Sequence, residues 1–231
     1  RALRSSAFTA LGYGGQQVLR LASNLILTRL LFPEAFGMMT LVTVFMIGLN
    51  MFSDVGLSPS ILQSKRGDDP DFLNTAWTIQ VIRGVLLCLF ACVLAYPMAQ
   101  FYGEPQLAQL LPVASVVLIV KGLNPTRLET ANRHLMLGRV TLFELATQAI
   151  GIIAAVILAL LLQSVWALVI SGIIAAIAYV VLANLFLPGE ANRFYWDKSC
   201  AQELVSFGKW VFLSTVAGFL LTQGDKIVLG K

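Results

Sequence analysis

The feature that most constrains this chain is a series of apolar blocks, each about 20 residues long, separated by short stretches rich in Pro, Gly and charge. A helix needs about 20 apolar residues to cross about 30 Å of hydrocarbon, whereas a strand of a membrane barrel needs about ten residues of alternating polarity. Lipid cannot hydrogen-bond the backbone, so only helices and closed barrels cross a bilayer. The long, non-alternating blocks therefore predict an all-α membrane protein.

Composition agrees with this fold class. The chain has 231 residues, of which 58% are hydrophobic and 12% charged, and its mean hydropathy is +0.80. Soluble domains carry about 25% charged residues. The net charge of +4 is attributed to basic cytoplasmic loops and not to nucleic-acid binding. His134 is the only histidine, and the three cysteines show no metal-ligand or disulfide spacing, so we expect no cofactor, no metal and no enzymatic activity.

We predict a bundle of six transmembrane helices and the start of a seventh span near Phe207. The chain begins at Arg1 instead of Met and ends inside an apolar stretch, so we expect it to be part of a longer protein. The six predicted spans cover about residues 7–31, 36–62, 76–97, 106–122, 139–162 and 165–187.

The distribution of basic residues predicts the orientation. With the N-terminus in the cytoplasm, ten basic residues fall on the cytoplasmic side and only Arg29 falls outside. Tryptophans near the span ends fit the aromatic belts of a bilayer, and the linker around Phe194–Trp196 could lie flat in the interface. The ten cytoplasmic residues are Arg1, Arg4, Lys65, Arg66, Arg127, Arg133, Arg139, Arg193, Lys198 and Lys209.

The first predicted span carries a polar face. A central Arg in a span costs about 2.5–3.5 kcal/mol even on insertion scales, so Arg20 needs a partner, a wet cavity or an anionic ligand. Asp54 and Glu144 are the carboxylates that could pair with it structurally. The polar residues recur at steps of three and four, which places them on one helix face: Thr9, Tyr13, Gln16, Gln17, Arg20, Asn24 and Thr28.

Three further basic residues lie near the predicted cytoplasmic side. Arg83 and Lys121 are close enough to the ends of their spans for their long side chains to reach the headgroups. This structural role would explain both residues without a ligand. Together with Arg20 and Arg127 they would form a basic funnel, and planar guanidinium groups suit phosphate oxygens. Asp54 either balances Arg20 or carries a coupling proton.

Several motifs resemble one family. These are TRLLFPEAFGMMTLV (28–42), FSDVGLSPSILQSKRG (52–67), RLETANRHLMLGRVTLFE (127–144) and GDKIVLG (224–230). Their order and spacing are similar to those of the oligosaccharide and polysaccharide flippases of bacterial envelope synthesis. These flippases belong to the multidrug/oligosaccharidyl-lipid/polysaccharide exporter superfamily. The resemblance covers essentially the whole chain.

The resemblance implies a two-lobed carrier that works by alternating access around a cationic cavity. Residues 1–205 would be the N-terminal six-helix lobe, and 206–231 the start of the second lobe. The implied cargo is an oligosaccharide on undecaprenyl pyrophosphate, moved from the cytoplasmic to the periplasmic leaflet of the bacterial inner membrane. The cargo would feed lipopolysaccharide or exopolysaccharide synthesis, with polymerase or assembly proteins as possible partners. Arg20 and Arg83 would bind the pyrophosphate, helped by Gln17, Asn24, Lys121 and Arg127, with Asp54 as the coupling-ion candidate.

Three alternatives stay open at this point. A cation or drug antiporter of the same superfamily would need acidic cavity residues, whereas the mid-span excess here is basic. A membrane scaffold of a polysaccharide-assembly complex would carry no cargo of its own. An intramembrane glycan polymerase or ligase would usually show large periplasmic loops, and the predicted outside loops are short.

Overall fold

The computed structural model describes residues 2–53, 56–211 and 214, with the side chains of 2–12, 52 and 137 left aside. These residues contain helices and no strand, which confirms the all-α class. The helices are α1 (Ala2–Leu30), α2 (Pro33–Ser53), α3 (Leu57–Gln63), α4 (Pro70–Tyr102), α5 (Leu107–Gly122), α6 (Arg127–Arg133), α7 (Leu137–Leu162), α8 (Val165–Phe186) and α9 (198–211).

Four of the described helices, α2, α4, α7 and α8, are long and apolar enough to cross a membrane. The bent pair of α5 and α6, which meet at 56°, would make a fifth span. Helix α1 has 29 residues, about 43 Å at 1.5 Å per residue, but its polar residues keep it from this group. The chain is therefore a multi-pass membrane protein, and the count of six spans stays a prediction.

The helices pack in the spatial order α4, α5, α8, α7 and α1, with α2 lying across α4, α5 and α8. The largest apolar core forms between α2, α4, α5 and α8, around Val42, Leu110, Leu111 and Val169. A second core joins α1 to α7 and α8 through Leu27, Ala155 and other residues. Helix α1 therefore packs mainly on α7, a helix made more than 100 residues later.

Two glycines bring α4 and α5 into close contact. A Cβ on Gly84 would lie 2.6 Å from the carbonyl oxygen of Leu118, and a Cβ on Gly122 would lie 3.1 Å from that of Gln80. Such small residues let helix backbones approach in membrane proteins. The dispersed glycines of the sequence thus include one pair that sets a helix–helix distance.

The second predicted span, 36–62, is wrong in one respect, because the structure divides it into α2 and α3. Gly56 has φ 60° and ψ 34°, the left-handed conformation that interrupts a helix and favours glycine. A Cβ at this position would also lie 2.8 Å from Cγ2 of Val211 on α9. The break therefore places α3 beside α9, which no apolar pattern could indicate.

Other boundaries also differ from the prediction. Helix α4 begins at Pro70, six residues before the predicted start at 76, because Asp69 caps it by accepting a hydrogen bond from the backbone of Asp71 at 3.1 Å. The predicted loop between spans 4 and 5 contains α6, and α9 begins at residue 198, directly after the linker predicted around residues 194–196. The core of Leu57, Phe72, Cys200 and Leu204 shows that α9 packs on α3 and α4.

Candidate functional site

The polar residues of α1 divide between two faces. Ser23 and Leu27 are buried toward α7, whereas five polar residues form an exposed stripe. Steps of three and four along the chain keep this stripe on one side of the helix. We call this stripe the α1 polar face; it consists of Tyr13, Gln17, Arg20, Asn24 and Thr28.

Gln16 lies one turn before Arg20, at the edge of the α1 polar face, and ties α1 to α7. Its Nε2 donates a hydrogen bond to Oε2 of Glu144 at 2.9 Å, and Nε2 of Gln148 donates to the backbone oxygen of Gln16 at 2.9 Å. Glu144 therefore binds Gln16 and not Arg20. Within the described part of the chain, no hydrogen bond or ion pair holds the Arg20 guanidinium. The other candidate carboxylate, Asp54, lies outside the described residues.

A cavity of about 800 Å³ lies between α1, α5, α7 and α8. It holds Lys121 and Glu144 in one space, so both signs of charge and several amides face it. Asn124 also lines it, and the Oδ1 atom of that residue is buried without a hydrogen-bond partner among the described residues. The lining residues are Gln16, Val117, Lys121, Asn124, Glu144, Thr147, Gln148, Gly172, Ala175, Ala176 and Tyr179.

Arg83 and Lys121 share a smaller cleft of about 80 Å³ between α2, α4 and α5. The guanidinium of Arg83 donates to Oγ of Ser53 at 3.0 and 3.1 Å and to the carbonyl oxygen of Asn50 at 3.1 Å. Arg83 therefore closes the C-terminal end of α2, where free carbonyls carry partial negative charge. Lys121 is exposed and lines both the cleft and the larger cavity.

Arg127 lies apart from the other three basic candidates. Its Nη1 donates to the carbonyl oxygen of Asn184 at 2.7 Å, and its Nε donates to that of Glu190 at 3.0 Å. It thus binds the end of α8 and the segment that follows. Nearby lies a separate cavity of about 380 Å³, which Arg127 lines together with His134 and Asp68.

Extended residues 191–197, called here the linker, lie along the first turns of α4. The backbone N–H groups of Arg193, Tyr195 and Asp197 donate to side chains of α4. The three acceptors are Asn74 Oδ1 at 3.0 Å, Thr78 Oγ1 at 3.1 Å and Thr75 Oγ1 at 3.2 Å, and Thr78 also donates to the carbonyl of Tyr195. Sequence reasoning missed this contact, although three polar residues within the five positions 74–78 were a visible signal.

The sequence matches the family described as "Polysaccharide biosynthesis protein" over residues 26–231. The chain belongs to this family. The match covers α2 through α9 and part of α1, and it confirms the resemblance to polysaccharide flippases that the motifs carried.

Curated relatives of this polysaccharide biosynthesis protein include one that is named as a transport protein. The chain is 23% identical over 229 residues to the succinoglycan biosynthesis transport protein ExoT of Rhizobium meliloti, covering 99% of this chain and 46% of that protein. It is 20% identical over 218 residues to the lipopolysaccharide biosynthesis protein WzxC of Escherichia coli, covering 92% and 43%. An uncharacterized membrane protein in the cps region of Klebsiella pneumoniae is 28% identical over 120 residues, covering 52% and 24%. The chain thus spans less than half the length of these relatives, and no solved structure matches it.

In this family member, a second polar network joins the segment after α3 to α6. Nη1 of Arg133 donates to the carbonyl oxygens of Ile61, Leu62 and Ser64 at 2.7–3.1 Å, and its Nε lies 3.1 Å from Asp68 Oδ2. His134 Nε2 is 2.9 Å from the other Asp68 oxygen. His134 is thus exposed but paired with Asp68. The described residues contain no cluster of three or more potential metal ligands.

Proposed function

We propose that the complete protein is a membrane carrier that moves a lipid-linked oligosaccharide from the cytoplasmic to the periplasmic leaflet by alternating access. The observation that carries this proposal is the α1 polar face, an exposed stripe with Arg20 at its centre. Lipid cannot cover such a face, because a central Arg costs at least about 2.5–3.5 kcal/mol there. The face therefore lines a wet cavity or a protein contact.

The relatives supply the other half of this argument. They are more than twice as long as the chain, and two are named for roles in succinoglycan transport and lipopolysaccharide biosynthesis. We assign residues 1–205 to a first lobe and 206–231 to the start of a second lobe that covers the α1 polar face. Arg20 would then face the space between the lobes, which is where a carrier holds its cargo.

The chemistry of the cargo fits this placement. An undecaprenyl-pyrophosphate headgroup is anionic, and an arginine in a space poor in water binds phosphate oxygens through paired hydrogen bonds. Gln17 and Asn24 lie on either side of Arg20 on the same face and offer amide groups to the sugars. With the cytoplasm negative, outward movement of an anion is favoured by about 2.3 kcal/mol per charge per 100 mV.

The other candidates take different places in the proposal. Lys121 is exposed in the cavity and attracts the anion, whereas Arg83 and Arg127 are bound to carbonyl groups of helix ends and act on the cargo only from there. Asp54 stays a candidate for the coupling ion. We place the protein in the bacterial inner membrane with its N-terminus in the cytoplasm, on the distribution of basic residues.

A second candidate function is a cation or drug antiporter, and one observation favours it. Glu144 is a carboxylate on an apolar helix, and it lines the cavity of about 800 Å³. If the protein is an antiporter, Glu144→Gln should abolish the exchange of cations or drugs. If it is a glycan carrier, Arg20→Ala should lower the amount of surface glycan. A scaffold without transport would differ from both, because the purified protein would move no lipid-linked glycan in proteoliposomes.

The central test compares Arg20→Ala with Arg29→Ala in the complete protein, in a strain that lacks its own copy. Both arginines are exposed on α1, but Arg29 lies in its last turn and outside the α1 polar face. Each charge-assisted hydrogen bond contributes about 1.5–3 kcal/mol, so Arg20→Ala should lower surface glycan roughly tenfold to a hundredfold. Arg29→Ala should leave the amount of surface glycan unchanged, and Arg20→Lys should restore part of the glycan that Arg20→Ala loses.

Protein abundance in the membrane and thermal stability must be equal in the three variants. Normal glycan export by a fully abundant Arg20→Ala protein would contradict the cavity role of Arg20. Movement of fluorescent lipid-linked oligosaccharide between leaflets of proteoliposomes gives the same comparison without the rest of the cell.

A further inference from the structure

The linker carries an exposed set of aromatic side chains. Phe194 is 67% exposed, Tyr195 41% and Trp196 58%, although their backbone is fixed on α4 by the hydrogen bonds described above. Trp77 of α4 supports the first of them, with ring centroids 4.9 Å apart. Three consecutive large aromatic side chains held outward on a fixed backbone are unusual for a segment that faces only water.

The position of the linker on α4 indicates what covers these side chains. Thr75 and Thr78, which bind the linker, continue at steps of three and four into Ile82, Leu86 and Leu89. These last three side chains are 46–60% exposed, so this stripe of α4 faces lipid. The linker therefore lies over the end of a lipid-facing stripe.

The depth of the linker follows from the length of α4. Its 33 residues span about 50 Å, which exceeds a hydrocarbon thickness of about 30 Å by about 10 Å at each end if the helix is centred. Thr75 and Thr78 lie five and eight residues after Pro70, about 8–12 Å from the start of α4. The linker thus lies at the boundary between headgroups and hydrocarbon, where Trp and Tyr concentrate.

Charge at the two ends of the segment matches this placement. Arg193 and Lys198 are exposed, and neither side chain forms a hydrogen bond or ion pair with a residue that the structure describes. The carboxylate of Asp197, between them, is turned toward the start of α9, where it accepts hydrogen bonds from Cys200 N at 2.8 Å and Ser199 Oγ at 2.6 Å. Other nearby carboxylates, of which Asp71 and Glu190 are exposed, reduce the positive field of the segment.

We propose that residues 193–198 form a docking surface for phospholipid headgroups, with the aromatic side chains at the hydrocarbon boundary and Arg193 and Lys198 on the lipid phosphates. By the proposed orientation, this is the anionic cytoplasmic leaflet. The surface anchors the connection between α8 and α9 to the bilayer. It is independent of transport and of the α1 polar face.

The depth of the segment is the first test. In the complete protein with its other cysteines replaced by Ala, a spin label at Trp196→Cys is measured in nanodiscs of phosphatidylcholine and phosphatidylglycerol in equal parts. Labels at Lys65→Cys and Leu89→Cys serve as the water and hydrocarbon references. The label at 196 should collide with oxygen more, and with a water-soluble nickel chelate less, than the label at 65. Equal exposure of positions 196 and 65 to the chelate would overturn the proposal, and Phe194→Cys repeats the test if Trp196→Cys is unstable.

Lipid retention tests the charged ends. Basic residues near an anionic surface strengthen its binding, and Asp71 offsets part of this attraction, so Arg193→Gln with Lys198→Gln should lower retained phosphatidylglycerol by roughly threefold or more. Lys65→Gln with Arg139→Gln removes the same charge from other exposed positions and should change the amount of retained phosphatidylglycerol little. Equal loss in both pairs, or displacement of the lipid by inorganic phosphate, would contradict a headgroup site on this segment.

Discussion

At the scale of single residues, four arginines of this chain differ in what their guanidinium groups bind. Arg83, Arg127 and Arg133 donate to backbone carbonyls at or just after the C-terminal ends of helices. Those carbonyls lack intrahelical partners and carry partial negative charge, so a nearby guanidinium stabilises them. Arg20 is different, because it is exposed in the middle of a helix and binds no such carbonyl among the residues that the structure describes.

Arg133→Ala should weaken the junction between α3 and α6. The change removes donors from three carbonyls and from Asp68, and hydrogen bonds that involve a charged group contribute about 1.5–3 kcal/mol. We expect a loss of about 2 kcal/mol in the free energy of unfolding, measured by thermal unfolding of the purified complete protein in detergent. Arg139→Ala, an exposed position at the start of α7, is the control and should be neutral. An unchanged midpoint for Arg133→Ala would show that the network adds no stability.

Asp197 makes the start of α9 sensitive to acid. Hydrogen bonds from Ser199 and Cys200 lower the pKa of the Asp197 carboxyl from its ordinary 3.8 to about 2. Because the folded pKa is below the unfolded pKa, the contribution is complete above about pH 5 and is lost as the pH falls through 4 toward 2. Hydrogen exchange at the Cys200 amide should therefore be constant from neutral pH to about 5, after correction for intrinsic rates, and faster below. Asp197→Asn should remove this dependence, and an equal acid response in Asp197→Asn would contradict the assignment.

The sequence predicts the site only in part, and the arginines show why. A basic residue near the end of a span gives the same pattern whether it binds an anion or closes a neighbouring helix, as Arg83 does for α2. The sequence around the arginine does not show whether the carbonyl groups of another helix end lie beside it. The α1 polar face could be predicted because its residues recur at steps of three and four within a single helix. The pairing of Gln16 with Glu144 depends on two distant helices and was not.

At the scale of elements, apolar blocks and breakers located most helices. Spans 5 and 6 were predicted as 139–162 and 165–187 and are observed at Leu137–Leu162 and Val165–Phe186. The left-handed Gln163, with φ 45°, separates them. Helix α6 was missed because it has only seven residues and no apolar block, whereas α3, also of seven residues, was predicted as the end of the second span and not as a separate helix.

The contact between α4 and α5 depends on Gly84. A side chain there would meet backbone at 2.6 Å, and backbone cannot move aside as a flexible side chain can. Gly84→Val should force the two helices apart and lower the unfolding free energy by about 2 kcal/mol or more, with reduced membrane abundance. Gly48→Ala in α2, where a Cβ meets nothing within 4 Å, is the matched control and should be neutral or slightly stabilising. A fully abundant and stable Gly84→Val protein would show that the contact can open without cost.

At the scale of the whole molecule, orientation decides which leaflet each surface meets. With the N-terminus inside, the loop after α4 faces the periplasm and the loop after α3 faces the cytoplasm. In intact cells whose outer membrane admits small reagents, Glu104→Cys should react with an impermeant thiol reagent. Lys65→Cys, which is exposed on the opposite side, should react only after lysis. The reverse pattern would invert the proposed direction of transport.

The pairing of α1 with α7 has a consequence for biogenesis. Glu144 follows its partner Gln16 by 128 residues. A ribosome adds about 5–20 residues per second, so Gln16 is made on the order of ten seconds before its partner exists. During that interval α1 needs shelter from lipid, either in the insertion channel or beside another chain. Helix α1 therefore leaves the ribosome well before the helix on which it packs, and its exposed polar face is unpaired with α7 during that time.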